Sequence, residues 1–287
     1  MPSSIRLIFN VFKLRIGVVI ALTAAAGFAV QPGAGPEAWR IAVLLAAVLV
    51  SSAAAGAFNQ YWERDLDARM ARTRNRPFVA GTLPHGRLWI VLIAALAAAA
   101  TAAAWAATNA WAAAYSLAGA VVYAIVYTVW LKRRTWWNIV IGGLAGSFAV
   151  LAGAAAITPG LSPEALLLAV ILFLWTPPHF WSLAIAFRDD YRAAGVPMLP
   201  LVKGDRYAAR AILVHAVALV ALSWLLVAFR PGIVYLAFAV AGGLLFVREA
   251  ARLAAAPARR TAMRCFHASL AQLSALLVGA MLDAALA

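Results

Sequence analysis

Long apolar runs recur along the whole chain and constrain its fold more than any other feature. Because a transmembrane helix needs about 20 consecutive apolar residues, runs of this kind can each cross a bilayer. The sequence therefore predicts an all-α polytopic membrane protein, a bundle of nine transmembrane helices. The runs are bounded by Arg clusters or by Pro, Gly and Asn turns and cover residues 14–30, 39–60, 88–107, 110–131, 138–157, 164–186, 208–228, 232–249 and 265–285.

The composition leaves little room for anything outside the membrane. Of the 287 residues, 66% are hydrophobic and only 12% are charged, which lies well outside the range of soluble proteins. We therefore expect a single transmembrane domain over residues 1–287. Within the first run, residues 16–29 follow Arg6, Lys13 and Arg15 and could also be a signal peptide, but we interpret the run as the first helix because further spans follow it.

The charge distribution predicts the orientation in the membrane. A net charge of +14 would indicate nucleic acid binding in a soluble protein, but here all but two of the 24 Lys and Arg residues lie at the N-terminus or after even-numbered runs. The two exceptions are Arg40 and Arg230. Under the positive-inside rule this split predicts a cytoplasmic N-terminus and a C-terminus outside. The expected location is a bacterial inner membrane, and the basic residues are expected to meet membrane lipid and not nucleic acid.

Two cytoplasmic segments, residues 60–87 and 187–207, are longer than the other connections and combine acidic with basic residues. Connections of this length in a compact protein usually have a function. A Cys-based metal cluster or an internal disulfide is excluded, because Cys265 is the only cysteine. The sequence therefore directs attention to these two segments.

The first segment carries oxygen-bearing side chains at a helical interval. If the second helix continues, Asn59, Glu63 and Asp67 project from one face, about 6 Å apart along the axis. Such a row suits Mg²⁺, which prefers oxygen ligands and is often held by one or two carboxylates plus substrate phosphates. The alternative is an interfacial patch of ion pairs. The following guanidinium groups, among them Arg72 and Arg76, favour a diphosphate site.

The second segment follows a helix with two internal prolines. Pro177 and Pro178 are expected to kink or break that helix, and broken backbone at membrane depth is tolerated where it lines a cavity. The adjacent Asp189 and Asp190 form a second acidic cluster on the same side of the membrane. Facing the first row, they could bind a second metal or the other end of a diphosphate.

These motifs resemble those of a known family. Residues 59–77 resemble the first, asparagine- and aspartate-rich motif of the UbiA-type intramembrane prenyltransferases, and residues 127–143, 175–181 and 190–200 resemble the haem O synthase branch. Two positions depart from the family pattern. Glu63 stands at the first aspartate position, and Ala186 stands four residues before Asp190, where the superfamily has an aspartate. The second departure weakens the case for a second metal set.

The resemblance implies transfer of a farnesyl group from farnesyl diphosphate to a vinyl group of haem B, with addition of water, giving haem O. Farnesyl diphosphate and haem B are then the substrates, Mg²⁺ is the cofactor, and haem A synthase or terminal oxidase assembly factors are candidate partners. In this interpretation the Mg²⁺ ligands and catalytic residues are Asn59, Glu63, Asp67 and Asp190, whereas Arg72, Arg76, Lys132 and Asp189 contact the substrate diphosphate.

Aromatic side chains adjoin the polar motifs. Trp62, Tyr127, Trp175, Phe180 and Trp181 could stabilise an allylic cation through cation–π interactions. The alternative is that they are interfacial anchors, since Trp and Tyr are enriched at every membrane interface.

His179 has three interpretations: a ligand of haem iron, a hydrogen-bond donor to a haem propionate, or a partner for an exposed backbone carbonyl. The remaining histidines, His85, His215 and His267, are weaker candidates for a functional role.

Other functions also fit parts of the pattern. A transporter could have intramembrane prolines and paired loops, but its polar groups should lie near the midplane, whereas here they gather at one face. A structural membrane subunit leaves residues 59–77 unexplained. Within the enzymes, a prenyltransferase with another aromatic acceptor, such as a hydroxybenzoate or a chlorophyll precursor, is the remaining alternative.

Overall fold

All regular secondary structure in the computed structural model is helical, and the model describes residues 4–229 and 232–286. Arg230, one of the two basic residues expected outside, lies beyond the described residues. The helices are α1 (Ser4–Val11), α2 (Leu14–Val30), α3 (Ala38–Trp62), α4 (Arg64–Arg69), α5 (Arg87–Ala107), α6 (Ala110–Val121), a π-helix (Val122–Leu131), α7 (Asn138–Gly142), α8 (Leu144–Ala155), α9 (Pro163–Ala186), α10 (Arg188–Ala193), α11 (Leu199–Lys203), α12 (Asp205–Phe229), α13 (Ile233–Ala255) and α14 (Arg259–Leu286).

The prediction of an all-α polytopic membrane protein is confirmed. Within the described chain, eight helical segments are long and apolar enough to cross a membrane, with α6 joined to the π-helix and α7 to α8. The remaining apolar helix, α2, has 17 residues and coincides with the first predicted run. Each of the nine predicted runs thus lies on one apolar helix, although a count of nine complete crossings stays a prediction.

The last two long helices extend beyond their apolar runs. Helix α13 continues to Ala255, past the predicted end at residue 249, and α14 begins at Arg259 instead of residue 265. The extra turns are rich in Ala and Arg, which have high helix propensity, so the helices continue after the apolar pattern stops.

The prolines in α9 do not break it. Of the predicted kink or break, the break was wrong, because the helix runs without interruption from Pro163 through Pro177 and Pro178 to Ala186, whereas a kink stays a prediction. Two proline nitrogens cannot donate hydrogen bonds, but α9 is packed against α8, α12 and α14, and these neighbours hold its path.

Glycines allow close helix contacts at the centre of the bundle. A Cβ atom on Gly27 would clash with the backbone of Val150, and one on Gly153 would clash with the backbone of Ala24. Helices α2 and α8 therefore pack backbone against backbone, and this contact requires glycine at both positions.

One segment departs from α-helical geometry beside the motifs. After α6, the chain winds as a π-helix from Val122 to Leu131, and the Lys132 N–H donates to the Tyr127 carbonyl in the same wider pattern. Such segments are rare and frequently occur at functional sites. This one presents Tyr123, Tyr127 and Thr128 towards the end of α3.

The two motif-bearing segments meet on one side of the bundle, here called the motif side. Leu66 and Met70 from the first segment share a buried apolar cluster with Tyr191, Val196 and Met198 from the second. Burial of these side chains joins two segments that are more than 100 residues apart in sequence. The fold thereby places both acidic motifs at one end of the bundle.

Candidate active site

Two neighbouring cavities with shared lining residues lie inside the bundle. The polar chamber has a volume of about 850 Å³ and is bordered by α1, α3, α4, the π-helix and α9. The apolar chamber, of about 380 Å³, lies deeper, among α2, α3, α6 and α8. Five residues line both chambers and mark the junction between the polar chamber and the apolar chamber. They are Lys13, Arg15, Tyr123, His179 and Phe180.

Asn59, Glu63 and Asp67 line the polar chamber together. The Glu63 N–H donates to the Asn59 carbonyl at 3.0 Å, and the Asp67 N–H donates to the Glu63 carbonyl at 2.8 Å. The helical hydrogen-bond pattern therefore continues from α3 into α4, and the three side chains face the same cavity. All three are almost completely buried from bulk solvent.

Asp67 is held by Arg76. Arg76 Nη1 lies 2.8 Å from Asp67 Oδ1 and 2.6 Å from Oδ2, and both residues line the polar chamber. The Thr73 hydroxyl donates to the Asp67 carbonyl at 3.0 Å, which fixes the turn that brings Arg76 back to α4. The carboxylate and a phosphate-binding candidate are thus placed side by side.

Glu63 has one engaged and one unengaged oxygen. Its Oε2 accepts a hydrogen bond from Lys132 Nζ at 2.5 Å, whereas its buried Oε1 has no hydrogen-bond partner among the described residues. Lys132 lines neither chamber, so its predicted contact with a diphosphate differs from the observed contact with Glu63. The long Glu63 side chain lies between Lys132 and the cavity.

Both polar atoms of the Asn59 side-chain amide are hydrogen-bonded. Its Oδ1 accepts from Lys13 Nζ at 2.6 Å, and its Nδ2 donates to the Thr128 hydroxyl at 3.0 Å. Thr128 in turn donates to the Tyr123 carbonyl at 2.8 Å. The first residue of the acidic motif is therefore linked to the N-terminal segment and to the π-helix.

Lys13 is a functional candidate that the sequence reasoning did not identify. It was interpreted only as one of the basic residues that set the orientation. Burial, followed by the positive charge of Arg76, lowers the pKa of Lys13 to about 7, although Glu63 and Asp67 oppose this shift. A lysine within the apolar string Val11 to Leu14 is the signal that could have indicated a buried role.

Other lining residues have no role in the sequence-based predictions of the site. The N-terminal segment contributes to the wall of the polar chamber, as do the end of α3 and the turn after α4. These additional lining residues are Arg6, Phe9, Asn10, Arg15, Gln60 and Asn75.

Arg72 lines the polar chamber from the first segment. Its Nη2 donates to the Tyr191 hydroxyl at 3.3 Å, and its guanidinium lies 5.5 Å from the Tyr191 ring centre and 5.7 Å from that of Phe187. Its Nε lies 4.0 Å from Asp190 Oδ2, so aromatic contacts and an ion pair fix the position of the planar group beside the chamber.

The second pair of acids is arranged differently from the prediction. Asp190 lines neither chamber, and its carboxylate accepts the backbone N–H groups of Ala71 and Arg72 at 3.1 and 3.3 Å. The Asp189 side chain is 93% exposed and pairs with Arg192. In the part of the chain that the structure describes, no three His, Cys, Asp or Glu side chains converge in a group that could hold a metal.

The difference at Asp190 has a physical cause. After Met70 the chain turns, and the N–H groups of Ala71 and Arg72 face α10 without helical partners. A carboxylate is the strongest acceptor for such donors. Asp190 therefore supports the turn that carries Arg72, and Asp189, one residue earlier on α10, points to solvent.

Two tyrosines of the π-helix form one wall of the polar chamber. The rings of Tyr123 and Tyr127 stack with their centres 5.6 Å apart, and Gly142 makes room for the Tyr127 ring. Trp62 lines neither chamber and stacks on Phe58 with its side chain 45% exposed. Of the two aromatic interpretations, Trp62 fits an interfacial anchor.

His179 lies in an aromatic stack at the junction of the chambers. Its ring stacks on Trp175 at 4.3 Å and on Phe266 at 4.4 Å, and its Nδ1 lies 2.8 Å from the Ser269 hydroxyl. Trp175 lines the apolar chamber and donates to the Ser269 carbonyl at 2.8 Å. The polar partner of His179 is thus a side-chain hydroxyl and not a backbone carbonyl.

Trp181 does not lie at the site. It is buried in the core between α9 and α12, contacts the His215 ring edge to face at 5.2 Å, and lines neither chamber. The reason is helical periodicity, since two residues beyond His179 correspond to about 200° around the helix axis. Its predicted contact with substrate is therefore not supported by its position.

The other histidines have contacts away from the chambers. His85 stacks on Tyr61 at 4.0 Å, His215 bonds to the Ala211 carbonyl at 2.8 Å, and His267 is exposed beside Phe266. These positions agree with the weaker roles expected for them.

An ion pair at the outer face of α4 supports the site from outside. Arg133 donates to Asp65 at 2.7 and 2.8 Å, and this hydrogen bonding lowers the pKa of the Asp65 carboxyl. The same pair raises the pKa of Arg133. It joins α4 to the turn after the π-helix without facing either chamber.

The chain is similar to proteins of known families over its full length. It is 55% identical over 287 residues to protoheme IX farnesyltransferase 2 of Paramagnetospirillum magneticum, covering 100% of both chains. It is 40% identical to protoheme IX farnesyltransferase 1 of Cenarchaeum symbiosum, covering 98% of this chain and 96% of the relative.

Solved structures share the fold at low sequence identity. A structure of digeranylgeranylglyceryl phosphate synthase superposes with a TM-score of 0.76 at 15% identity, covering 98% of each chain. A UbiA homologue from Archaeoglobus fulgidus bound to DMAPP and Mg²⁺ has a TM-score of 0.71 at 15% identity, covering 94% of this chain and 98% of the other. The model of the UbiA prenyltransferase family matches residues 20–272. This protein therefore belongs to the UbiA prenyltransferase family.

Proposed function

We propose that this protein transfers a farnesyl group from farnesyl diphosphate to a vinyl group of haem B, with addition of water, and so produces haem O. The observation that supports this most directly is the 55% identity, over the whole of both chains, to a relative named protoheme IX farnesyltransferase. The two-chamber geometry is compatible with these substrates, which combine a diphosphate, a prenyl chain and a large planar acceptor.

The residues of the polar chamber fit a magnesium ion. Asn59, Glu63 and Asp67 supply oxygen atoms, and the unpartnered, buried Glu63 Oε1 is costly unless a cation or a water satisfies it. When bound, Mg²⁺ would neutralise charge on the diphosphate as it leaves. We assign Asn59, Glu63 and Asp67 as ligands of this ion. Asp190 is not a ligand in this proposal, because its carboxylate holds the backbone of the first segment.

Arginine side chains would hold the diphosphate. Arg72 and Arg76 line the same chamber as the motif oxygens, and both are already fixed, by Tyr191 and by Asp67 respectively. Guanidinium groups held in place before the reaction stabilise the developing negative charge on the leaving oxygens without further reorganisation. Lys132 would act one step away, by orienting Glu63 through their ion pair.

The apolar chamber would receive the prenyl chain. It shares lining residues with the polar chamber and is lined mainly by aliphatic and small side chains. When the C–O bond to the diphosphate breaks, the allylic cation would form at the junction, beside Tyr123, Tyr127 and Phe180. Their ring faces stabilise positive charge, and the apolar wall limits access of water.

The acceptor would enter the polar chamber beside His179. The vinyl π bond attacks the allylic carbon, water then adds to the cation formed on the former vinyl group, and a proton is released. No protein nucleophile is required. His179, between Trp175 and Phe266, presents a ring at the junction that could contact the haem iron or a propionate.

The environment of the site is part of the same proposal. We infer one prenyltransferase domain over residues 1–287, in a bacterial inner membrane, with the motif side facing the cytoplasm and the C-terminus outside. The support is the concentration of Lys and Arg on the motif side. Haem A synthase or a terminal oxidase assembly factor would be the recipient of the product.

The experiment that tests the function uses purified full-length protein in lipid nanodiscs. Haem B, farnesyl diphosphate and Mg²⁺ are added, and the haem fraction is analysed by mass spectrometry. We expect a product heavier than haem B by one farnesyl group plus one hydroxyl group. Chelation of the metal should stop its formation. Hydroxybenzoate offered in place of haem B should remain unmodified, and its prenylation instead of haem would contradict the proposal.

A further inference from the structure

Lys13 has a backbone conformation that lysine rarely adopts. Its φ of 48° and ψ of 42° lie in the left-handed region, and it is the only non-glycine residue with positive φ in the described part of the chain. This conformation separates α1 from α2. Strain of this kind costs about 1–3 kcal/mol and persists only where the surroundings enforce it.

The surroundings hold the whole side chain in one place. The Lys13 stem packs against α3 at Gly56, where a Cβ atom would lie in van der Waals contact, 3.4 Å from both Cβ and Cδ of Lys13. The amino group donates to Asn59 Oδ1 at 2.6 Å and to the Tyr123 hydroxyl at 3.1 Å. A strained backbone and two hydrogen bonds therefore fix the position of this side chain.

The contact with Asn59 conflicts with binding of a metal. The Nδ2 atom of Asn59 donates to Thr128, so the orientation of the amide is fixed and Oδ1 faces Lys13. Oδ1 is the same atom that an oxygen-seeking cation would need. Lys13 and a metal ion thus compete for one oxygen.

We propose that Lys13 occupies the Asn59 oxygen until the diphosphate substrate arrives, and then turns from Asn59 to contact the diphosphate. This inference rests on the proposed function and deepens it. The amino group blocks the site to free metal, and it becomes a diphosphate contact when the metal and the substrate bind together. The metal and the prenyl diphosphate are then expected to bind as a pair.

The proposal predicts that one substitution strengthens binding of the metal and weakens binding of farnesyl diphosphate. Lys13→Met keeps most of the stem but removes the donor. Without substrate, the affinity for Mn²⁺, used as a probe for Mg²⁺, should rise about tenfold, because Asn59 Oδ1 is released. The KM for farnesyl diphosphate should also rise about tenfold, because a diphosphate contact is lost. General damage to the site would weaken both.

The experiment measures Mn²⁺ binding to the full-length protein in nanodiscs by electron paramagnetic resonance, without substrate. Arg15→Met is the matched control, since Arg15 lines the same two chambers and carries a positive charge but makes no hydrogen bond to Asn59. We expect its Mn²⁺ affinity to change less than about twofold. Lys13→Arg, which keeps a donor and a charge, should stay close to the native protein.

Three results would overturn the inference. They are equal Mn²⁺ affinities in Lys13→Met and Arg15→Met, a loss of Mn²⁺ affinity in Lys13→Met, and an unchanged KM for farnesyl diphosphate. Size-exclusion profiles identify variants that fail to fold, in which case Lys13→Leu, which also lacks a donor, replaces Lys13→Met. The proposed function fails separately, if the native protein forms no farnesylated haem while the Mn²⁺ difference between the two variants remains.

Discussion

The two acidic segments differ in how they meet the polar chamber. In the first, helical backbone continues from α3 into α4, so Asn59, Glu63 and Asp67 all line the cavity. In the second, α10 begins after Phe187, and its acids turn away from the cavity, Asp190 to the backbone of the first segment and Asp189 to solvent. The acidic residues of the two segments therefore have different roles, because the helix that carries each of them orients its side chain differently.

This comparison shows that acidic residues near a site are not equivalent. Asp67 belongs to the wall of the chamber and Asp190 to the support of that wall. Substitutions in the two segments should then produce effects of different size and kind.

The largest effect is expected at Asp67. Asp67→Asn keeps the shape but removes the charge that Arg76 pairs with in the chamber. We expect haem farnesylation to fall by at least about a hundredfold, measured as product formed per minute by mass spectrometry. Asp65→Asn is the matched control, because Asp65 faces Arg133 outside the chamber. Comparable losses in both variants would show that the wall position has no special role.

A smaller effect is expected at Asp190. Asp190→Asn weakens the charge-assisted hydrogen bonds to the N–H groups of Ala71 and Arg72, a change of about 1–2 kcal/mol. Because Arg72 moves with this turn, the KM for farnesyl diphosphate should rise about tenfold, while kcat changes less. The measurement is steady-state kinetics at saturating haem. A loss of kcat as large as that of Asp67→Asn would instead support a direct metal role for Asp190.

A substitution at His179 tests whether α9, and not α10, contacts the haem acceptor. His179→Ala should alter the absorption spectrum of bound haem and lower turnover by about threefold to tenfold. His215→Ala serves as the control, since His215 bonds within α12 and lies outside both chambers. An unchanged spectrum in His179→Ala would assign that residue to packing against Trp175 and Phe266 alone.

The smallest effect is expected at Asp189. Its carboxylate is exposed and paired only with the neighbouring Arg192, an arrangement that contributes little to stability. Turnover and KM of Asp189→Asn should stay within about twofold of the native protein in the same kinetic assay. A larger change would indicate that α10 moves over the chamber when substrate binds.

Much of the fold could be predicted because the membrane imposes simple rules. Each apolar run lies on one helix, since hydrogen bonds within the segment must satisfy the backbone. The failures occurred where neighbours override local preference. The prediction of a break at Pro177 and Pro178 did not include the packing of α8, α12 and α14 around α9. The π-helix after α6 has no recognisable sequence signal.

The candidate site was predictable where one helix carries it. The spacing of Asn59, Glu63 and Asp67 predicts one face, and the structure places them together in one cavity. Trp181 was wrongly grouped with Trp175 and His179, because proximity in sequence was not converted into a position around the helix. Lys13 was missed because a lysine beside an apolar run has the same appearance whether it faces lipid headgroups or a cavity.

The sequence by itself determined the membrane environment, the helical class and the helix face that carries the first motif, because these depend on local composition and periodicity. Only the tertiary structure decided which side-chain oxygens of the site accept hydrogen bonds and which residues donate them. The pairing of Lys13 with Asn59, of Lys132 with Glu63 and of Asp190 with the first segment joins residues between 46 and 119 positions apart. Partners that distant are chosen by helix packing, which no local pattern in the chain records.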